Sequence, residues 1–207
     1  MAFHFSPNTF TSPLVERIEA LAPDVVHLHW VAGDILPLNA LKTIRQPLIW
    51  THHDMWPFCG AEHYAYDERW RVGYTRNSRS GEARGIDINR WVWQRKWKAW
   101  RDVPITHVGP SRWMSDCAQQ SKLWKGSKGS EFAVIPNGLD TNVFNSYEKG
   151  QARSELGLPQ DTRILLFGAH SVSSSIKGGD LLYGALQELE SELASDCMLV
   201  TFGGGDF

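Results

Sequence analysis

The sequence predicts an α/β fold: two Rossmann-like, doubly wound parallel sheets in series, the second of them incomplete. Three observations predict it. Short apolar runs alternate with helical patterns, the signature of strand–helix–strand crossovers. Four such runs, at residues 25–30, 47–51, 105–109 and 132–135, have strand length. A polar, weakly patterned stretch at residues 141–150 precedes a new alternation. The expected domains are residues 1–143 and 144–207.

Each element has a local reason. Residues 12–21 read as a helix with Leu14, Val15, Ile18 and Leu21 on one face, stopped by Pro23 and Asp24. The strand at residues 25–30 follows, then a short helix at 35–44 and a strand at 47–51. Residues 52–85 are irregular and rich in Gly, Arg and aromatics; a loop that long is usually functional or mobile. Residues 86–101 form a helix with Ile86, Trp93, Trp97 and Trp100 on one stripe. After the strand at 105–109, Ser111 caps a helix running to Leu123. A polar turn at 125–130 leads to the strand at 132–135. The second unit opens with a short helix at 152–156 ended by Gly157, then a strand at 164–168 and a Ser-rich loop at 169–176. An amphipathic helix at 179–194 buries Leu182, Ala185, Leu186, Leu189 and Leu193, and a last strand spans 198–202.

Composition narrows the function. The 42% hydrophobic content suffices for a core, and a net charge of −2 argues against a nucleic-acid binder. Cys59, Cys117 and Cys197 are odd in number and form no CxxC pair. They read as reduced thiols of a cytoplasmic protein rather than a disulfide framework or zinc ribbon. The first ten residues lack the charge pattern of a secretory signal, and no apolar run approaches membrane-spanning length.

Four segments carry chemistry. Open α/β sheets bind ligands beyond the carboxyl ends of their strands. The first segment, Thr51-His52-His53-Asp54, lies there. A carboxylate beside two imidazoles can bind a hydroxyl, orient a sugar or move a proton. His27 and His29 share one sheet face, whereas His52 and His53 point to opposite faces, which works against converging metal ligands. Satisfied structural histidines are the plainer alternative. The second segment runs from Gly168 to Asp180, with Lys177-Gly178-Gly179 at a helix start. Free N–H groups there, with a lysine, suit a diphosphate; the alternative is a polar loop capped by Asp180. The third, Pro136-Asn137-Gly138-Leu139-Asp140, reads as a tight turn, because Asn-Gly readily takes positive φ. The fourth is a charge cluster: ten Lys/Arg between Arg69 and Arg101 against Glu82 and Asp87, interleaved with tryptophans. It can lie on an anionic membrane or hold an anionic acceptor, or it is a solvated face over a Trp core.

In order and wording these segments resemble glycosyltransferase family 4, the retaining nucleotide-sugar enzymes of the GT-B fold, and most closely those of exopolysaccharide or lipopolysaccharide assembly. The residues carrying the resemblance are Asp24-Val25-Val26-His27-Leu28-His29-Trp30 and Thr51-His52-His53-Asp54-Met55-Trp56-Pro57-Phe58, with Gly60 and His63-Tyr64. Val108-Gly109-Pro110-Ser111-Arg112-Trp113, Val134-Ile135-Pro136-Asn137-Gly138-Leu139-Asp140 and Leu166-Phe167-Gly168-Ala169 with Lys177-Gly178 complete it. The resemblance covers nearly the whole chain. It implies an acceptor lobe followed by a nucleotide-sugar lobe. It implies catalytic roles for His53 and Asp54, acceptor-side roles for His52, His63 and Tyr64, and donor-diphosphate contacts from Gly168, Lys177 and Gly178. Asn137, Gly138 and Asp140 would form the interdomain turn. Retention would pass through an oxocarbenium-like state, with fixed cationic donors steadying the departing diphosphate. The implied partners are a nucleotide-diphosphate sugar and a glycan or lipid-linked acceptor. No cofactor or metal is needed, and the implied place is the cytoplasm, peripheral at the inner membrane face.

Three departures temper that implication. No arginine lies between Gly168 and Lys177; His170 is the nearest basic side chain. Cys59 stands alone where related sequences often carry several cysteines, with Glu62, Glu68 and Tyr74 nearby. No glycine-rich first strand-turn opens the chain, and Glu188, Glu190 and Glu192 lack the spacing of the family's acidic pair and read as outward-facing. The sequence therefore reads as truncated at both ends. A non-catalytic binding module is the second reading, and a His/Asp metallohydrolase the third.

Overall fold

The first four apolar runs resolve into parallel strands. In a computed structural model, which describes residues 5–81, 83–189 and 197–205, they are β1 (Val26–His29), β2 (Leu48–Thr51), β3 (Ile105–Gly109) and β4 (Glu131–Val134). They pair in the order β1-β2-β3-β4, all parallel. Every crossover therefore steps the same way, and right-handed connections put all of them on one face of the sheet. The strand alternation agrees: Val26, Leu28, Leu48, Trp50, Ile105 and His107 are buried, while His27 and His29 are exposed.

Helix ends follow their capping chemistry. α1 (Leu14–Leu21) begins after Pro13. The single turn α2 (Arg69–Val72) interrupts the loop expected at residues 52–85. α3 (Ile88–Trp100) is capped by the Asp87 carboxylate, which accepts from the Arg90 N–H at 3.0 Å. α4 (Arg112–Gln120) is capped by Ser111 Oγ, which accepts from the Met114 N–H at 3.2 Å.

Three expectations need correction. Residues 35–44 contain no α-helix, only a 3₁₀ turn at Ala40–Lys42. Pro37 supplies no N–H and disfavours a helical Leu36. Asn8 braces the segment instead: its Nδ2 donates to the Val31 and Leu36 carbonyls, and its Oδ1 accepts from the Asp34 N–H. Ile86 lies outside α3 and is 91% exposed, so the buried stripe is Val92, Trp93, Lys96 and Trp100. Asn137 and Gly138 do not take positive φ. The turn comes later, where the Asp140 carbonyl accepts from the Val143 and Phe144 N–H groups and its carboxylate accepts from the Asn142 N–H.

An aromatic cluster fills the space between sheet and helices. Trp50, Trp56, Trp100 and Trp124 are all but fully buried. Trp50 meets Trp100 edge-on at 5.3 Å, and Trp100 donates its indole N–H to the Leu38 carbonyl. Such edge-on pairs add to plain area burial.

The chain divides into two compact units, Met1–Gly138 and Leu139–Phe207. In the second, β5 (Arg163–Ser171) pairs parallel with β6 (Cys197–Gly204). α5 (Lys149–Glu155) is capped by Glu148, and α6 (Gly179–Glu188) follows a 3₁₀ turn at Ser175–Lys177. β5 thus absorbs the first residues of the expected Ser-rich loop. Along α6, Leu182 and Leu186 are half-buried, while Ala185 and Leu189 are exposed. Glu82, Glu190, Glu192, Leu193 and Ala194 lie outside the described residues. The three cysteines are free thiols, Cys59 and Cys117 buried. Among the described residues no helix is long and apolar enough to cross a membrane.

Candidate functional site

The parallel register decides which side chains meet at the carboxyl ends of β1 and β2. His29 lies beside Thr51, and each strand sends alternate residues to the open face. His27 Nε2 is hydrogen-bonded to Thr51 Oγ1 at 2.9 Å. One step on, His29 Nδ1 is hydrogen-bonded to His53 Nε2 at 2.9 Å, with the rings stacked at 5.2 Å. His27, His29 and His53 are all exposed. Partial burial, then the imidazoles of His29 and His53, hold His27 below the ordinary histidine value. His53 thus presents an imidazole already oriented by a neighbour.

His52 goes the other way. It is wholly buried, and its Nε2 is hydrogen-bonded to His107 Nδ1 at 2.9 Å. Burial drives His107 down to about 3, and burial followed by the charge of His107 drives His52 well below its usual value. This is a neutral core pair, and the acceptor-side role expected for His52 has no exposed surface to act through.

Asp54 is fully engaged. Its Oδ2 accepts from Trp30 Nε1 at 3.0 Å and from His63 Nδ1 at 2.6 Å, while its Oδ1 accepts from the Trp56 N–H at 3.0 Å. His63 Nε2 is in turn hydrogen-bonded to Ser6 Oγ at 2.8 Å. The order Ser6–His63–Asp54 is that of a nucleophile relay. However, Ser6 is only 5% exposed, and its backbone is tied to Ala61 and Trp56. The relay is a brace: Asp54 and His63 fix the loop, leaving His53 and the half-open Tyr64 at its surface.

Against this geometry, residues 3–143 match the model of Glycosyltransferase Family 4. The chain belongs to glycosyltransferase family 4. It is similar to a D-inositol 3-phosphate glycosyltransferase of Nocardiopsis dassonvillei, 32% identical over 92 residues, 43% of this chain and 21% of that protein. It is also similar to a D-inositol 3-phosphate glycosyltransferase of a Nocardioides species, 35% identical over 78 residues, 36% of this chain and 17% of the relative. The matched part thus spans about a fifth of each relative's length.

In this family 4 chain the loop after β2 is held from beneath by a residue the motifs did not single out. Lys96 Nζ donates to the carbonyls of Trp56, Cys59 and Gly60, the last at 2.6 Å, and sits 3.8 Å from the centre of the Trp56 ring. Complete burial lowers it to about 7. Beside it Tyr74 donates to the Glu62 carboxylate, and burial pushes both groups upward. Gly60 allows the loop to approach α3, since a Cβ there would lie 2.5 Å from the Asn89 carbonyl oxygen. Helical spacing was the available signal for Lys96, which falls between Trp93 and Trp100 on the buried stripe. Ser6 had no signal, because its bond to His63 joins residues far apart in sequence.

The donor-side residues lie in the second unit. Gly168 is in β5, where a Cβ would come 1.9 Å from the Phe202 ring. Lys177 is exposed, on the 3₁₀ turn just before α6. Gly178 takes φ +76° and precedes α6 without any side-chain cap, so Asp180 does not cap this helix. Gly179 is buried, where a Cβ would lie 2.0 Å from the Val172 carbonyl oxygen. Asn137 and Gly138 end the first unit, and Asp140 lies at the start of the second. Among the described residues no group of three His, Cys, Asp or Glu is placed to hold a metal ion.

Proposed function

We propose that this chain is the acceptor-binding unit, with the first part of the donor-binding unit, of a retaining glycosyltransferase. The reaction moves a sugar from a nucleotide-diphosphate sugar to a glycan or lipid-linked acceptor. The observation that carries this reading is His53, an exposed imidazole at the carboxyl edge of a parallel sheet, oriented by His29 and set within the family match. At that edge His53 hydrogen-bonds a sugar hydroxyl beside the breaking bond, while Asp54 and His63 hold the loop rigid. Rigidity matters because catalytic geometry is lost over about 1 Å.

On the donor side, Lys177 and the amides that open α6 neutralise the departing diphosphate, which stabilises an oxocarbenium-like transition state. A lysine and a helix end supply that charge without a metal or cofactor. The exposed Arg95, over the Trp91 ring, and the exposed Lys98 on α3 suit peripheral contact with an anionic membrane face, where a lipid-linked acceptor would reside. On this reading the enzyme works at the cytoplasmic side of that membrane.

Calorimetric titration with UDP and GDP tests the donor half. One of them should saturate the protein, and Lys177→Ala should weaken it by about 1–3 kcal/mol. Equal affinity in the variant would move the diphosphate elsewhere. A second reading, a binding module without turnover, is favoured by the lack of an arginine between Gly168 and Lys177. It predicts nucleotide binding with no release of diphosphate from any nucleotide sugar.

A further inference from the structure

β1 ends at His29, and the next residue departs from extended backbone. Trp30 has φ +43°, in the left-handed region where a side chain's Cβ crowds the carbonyl oxygen. Such strain persists where the surroundings over-determine it, and it clusters at ligand sites. The surroundings here are explicit. The indole Nε1 donates to Asp54 Oδ2 at 3.0 Å, and the ring stacks on His63 at 5.7 Å with planes 28° apart. The ring tip passes over Gly33, where even a Cβ would touch it at 3.6 Å.

Held in this way, Trp30 is nevertheless 48% exposed. One side of the ring is turned to His63, and the residue as a whole keeps about half of its surface open. It borders a small depression lined also by Thr51, His53 and Asp54. A flat apolar surface therefore stands beside an exposed imidazole that can exchange hydrogen bonds. A pyranose carries the complement of both, with C–H groups across one face and hydroxyls around its rim. Small-molecule sites combine such apolar walls with a few placed polar groups.

We propose that Trp30 is a stacking platform for the C–H face of a pyranose ring, with His53 at that ring's hydroxyl rim. This subsite rests on the glycosyl-transfer reading and adds to it the surface that orients the sugar. The strained backbone is what aims the indole there, because an extended residue at this position would send its side chain elsewhere. The Asp54 bond has the same consequence: the carboxylate positions the platform as well as the loop.

The test uses the full chain labelled with ¹⁵N. The Trp30 indole N–H resonance is assigned by its loss in Trp30→Phe. Methyl α-D-glucopyranoside, methyl α-D-mannopyranoside and methyl α-D-galactopyranoside are titrated in turn, then UDP and GDP. At least one pyranoside should move the Trp30 resonance. Trp30→Asn removes the ring but keeps a side chain that tolerates left-handed backbone; it should bind that pyranoside roughly tenfold more weakly. Trp30→Phe, which keeps a ring, should fall between the two. The platform is overturned if no pyranoside binds, if one binds with the Trp30 resonance unmoved, or if UDP or GDP alone moves it as far as the sugar does. Diphosphate release from nucleotide sugars separates the two claims. Release by the wild type with a silent Trp30 leaves transfer standing without the platform. A shifted Trp30 with no release leaves a sugar-binding subsite without transfer.

Discussion

His52 and His53 are neighbours in sequence, and their environments differ in kind. His52 is paired with His107 in the core; His53 is paired with His29 at the surface. The difference follows from strand parity, which was legible in the sequence. What parity could not tell is that the core side carries a second histidine. The pair has a pH signature. In the unfolded chain both rings titrate near 6.5, whereas in the fold His107 titrates only at about 3 and His52 well below normal. The unfolded state therefore binds more protons across that window, so stability rises with pH through it and is lost as pH falls from about 6.5 toward 3. His107→Phe should flatten the pH dependence of the denaturation midpoint between those limits; an unchanged slope would place the acid sensitivity elsewhere. Asp54→Asn should destabilise the protein by about 1–3 kcal/mol, because a buried His63 loses its charged partner. A chemical melt of the variant matching the wild type would mean that Asp54 is no brace.

At the scale of elements, α3 links the tryptophan core to the site. Its buried stripe includes Lys96, whose ammonium gathers three carbonyls of the loop that carries Asp54 and His63. Lys96→Met keeps the length and apolar stem but leaves those carbonyls without their donor. The expected cost is about 2–5 kcal/mol. The loop amides of Trp56, Phe58, Cys59 and Gly60 should also exchange hydrogen faster than those of β2. Exchange that is unaltered in the loop would reduce Lys96 to core filler. Elements with strong periodicity, such as α3 and α4, were readable, α4 with its Ser111 cap, whereas the start of α3 at the Asp87 cap was not. Residues 35–44 were not, since their apolar spacing suits a helix while Pro37 and the clamp from Asn8 set a different path. The turn at Asp140 was misplaced for a related reason. Asn137-Gly138 can take a tight turn but is not compelled to, and the Asp140 carboxylate supplies the stronger local bond.

At the scale of the molecule, the chain comprises two compact units, and only the first carries the family 4 match nearly end to end. The order of motifs made the family readable from sequence. The hydrogen-bond partners that divide the work at the site were not readable, because Ser6, Trp30 and Lys96 reach it from distant parts of the chain. The division of labour is the central claim: His53 meets the sugar, and Asp54 with His63 holds the loop that presents it. The most direct measurement is the rate of diphosphate release from a panel of UDP- and GDP-sugars, for the wild type and for His53→Ala at matched melting temperature. The account predicts release by the wild type and a loss of roughly 100-fold or more in the variant, within the range for a removed catalytic hydrogen-bonding group. Equal rates in the two proteins, or no release from any donor by the wild type, would contradict it.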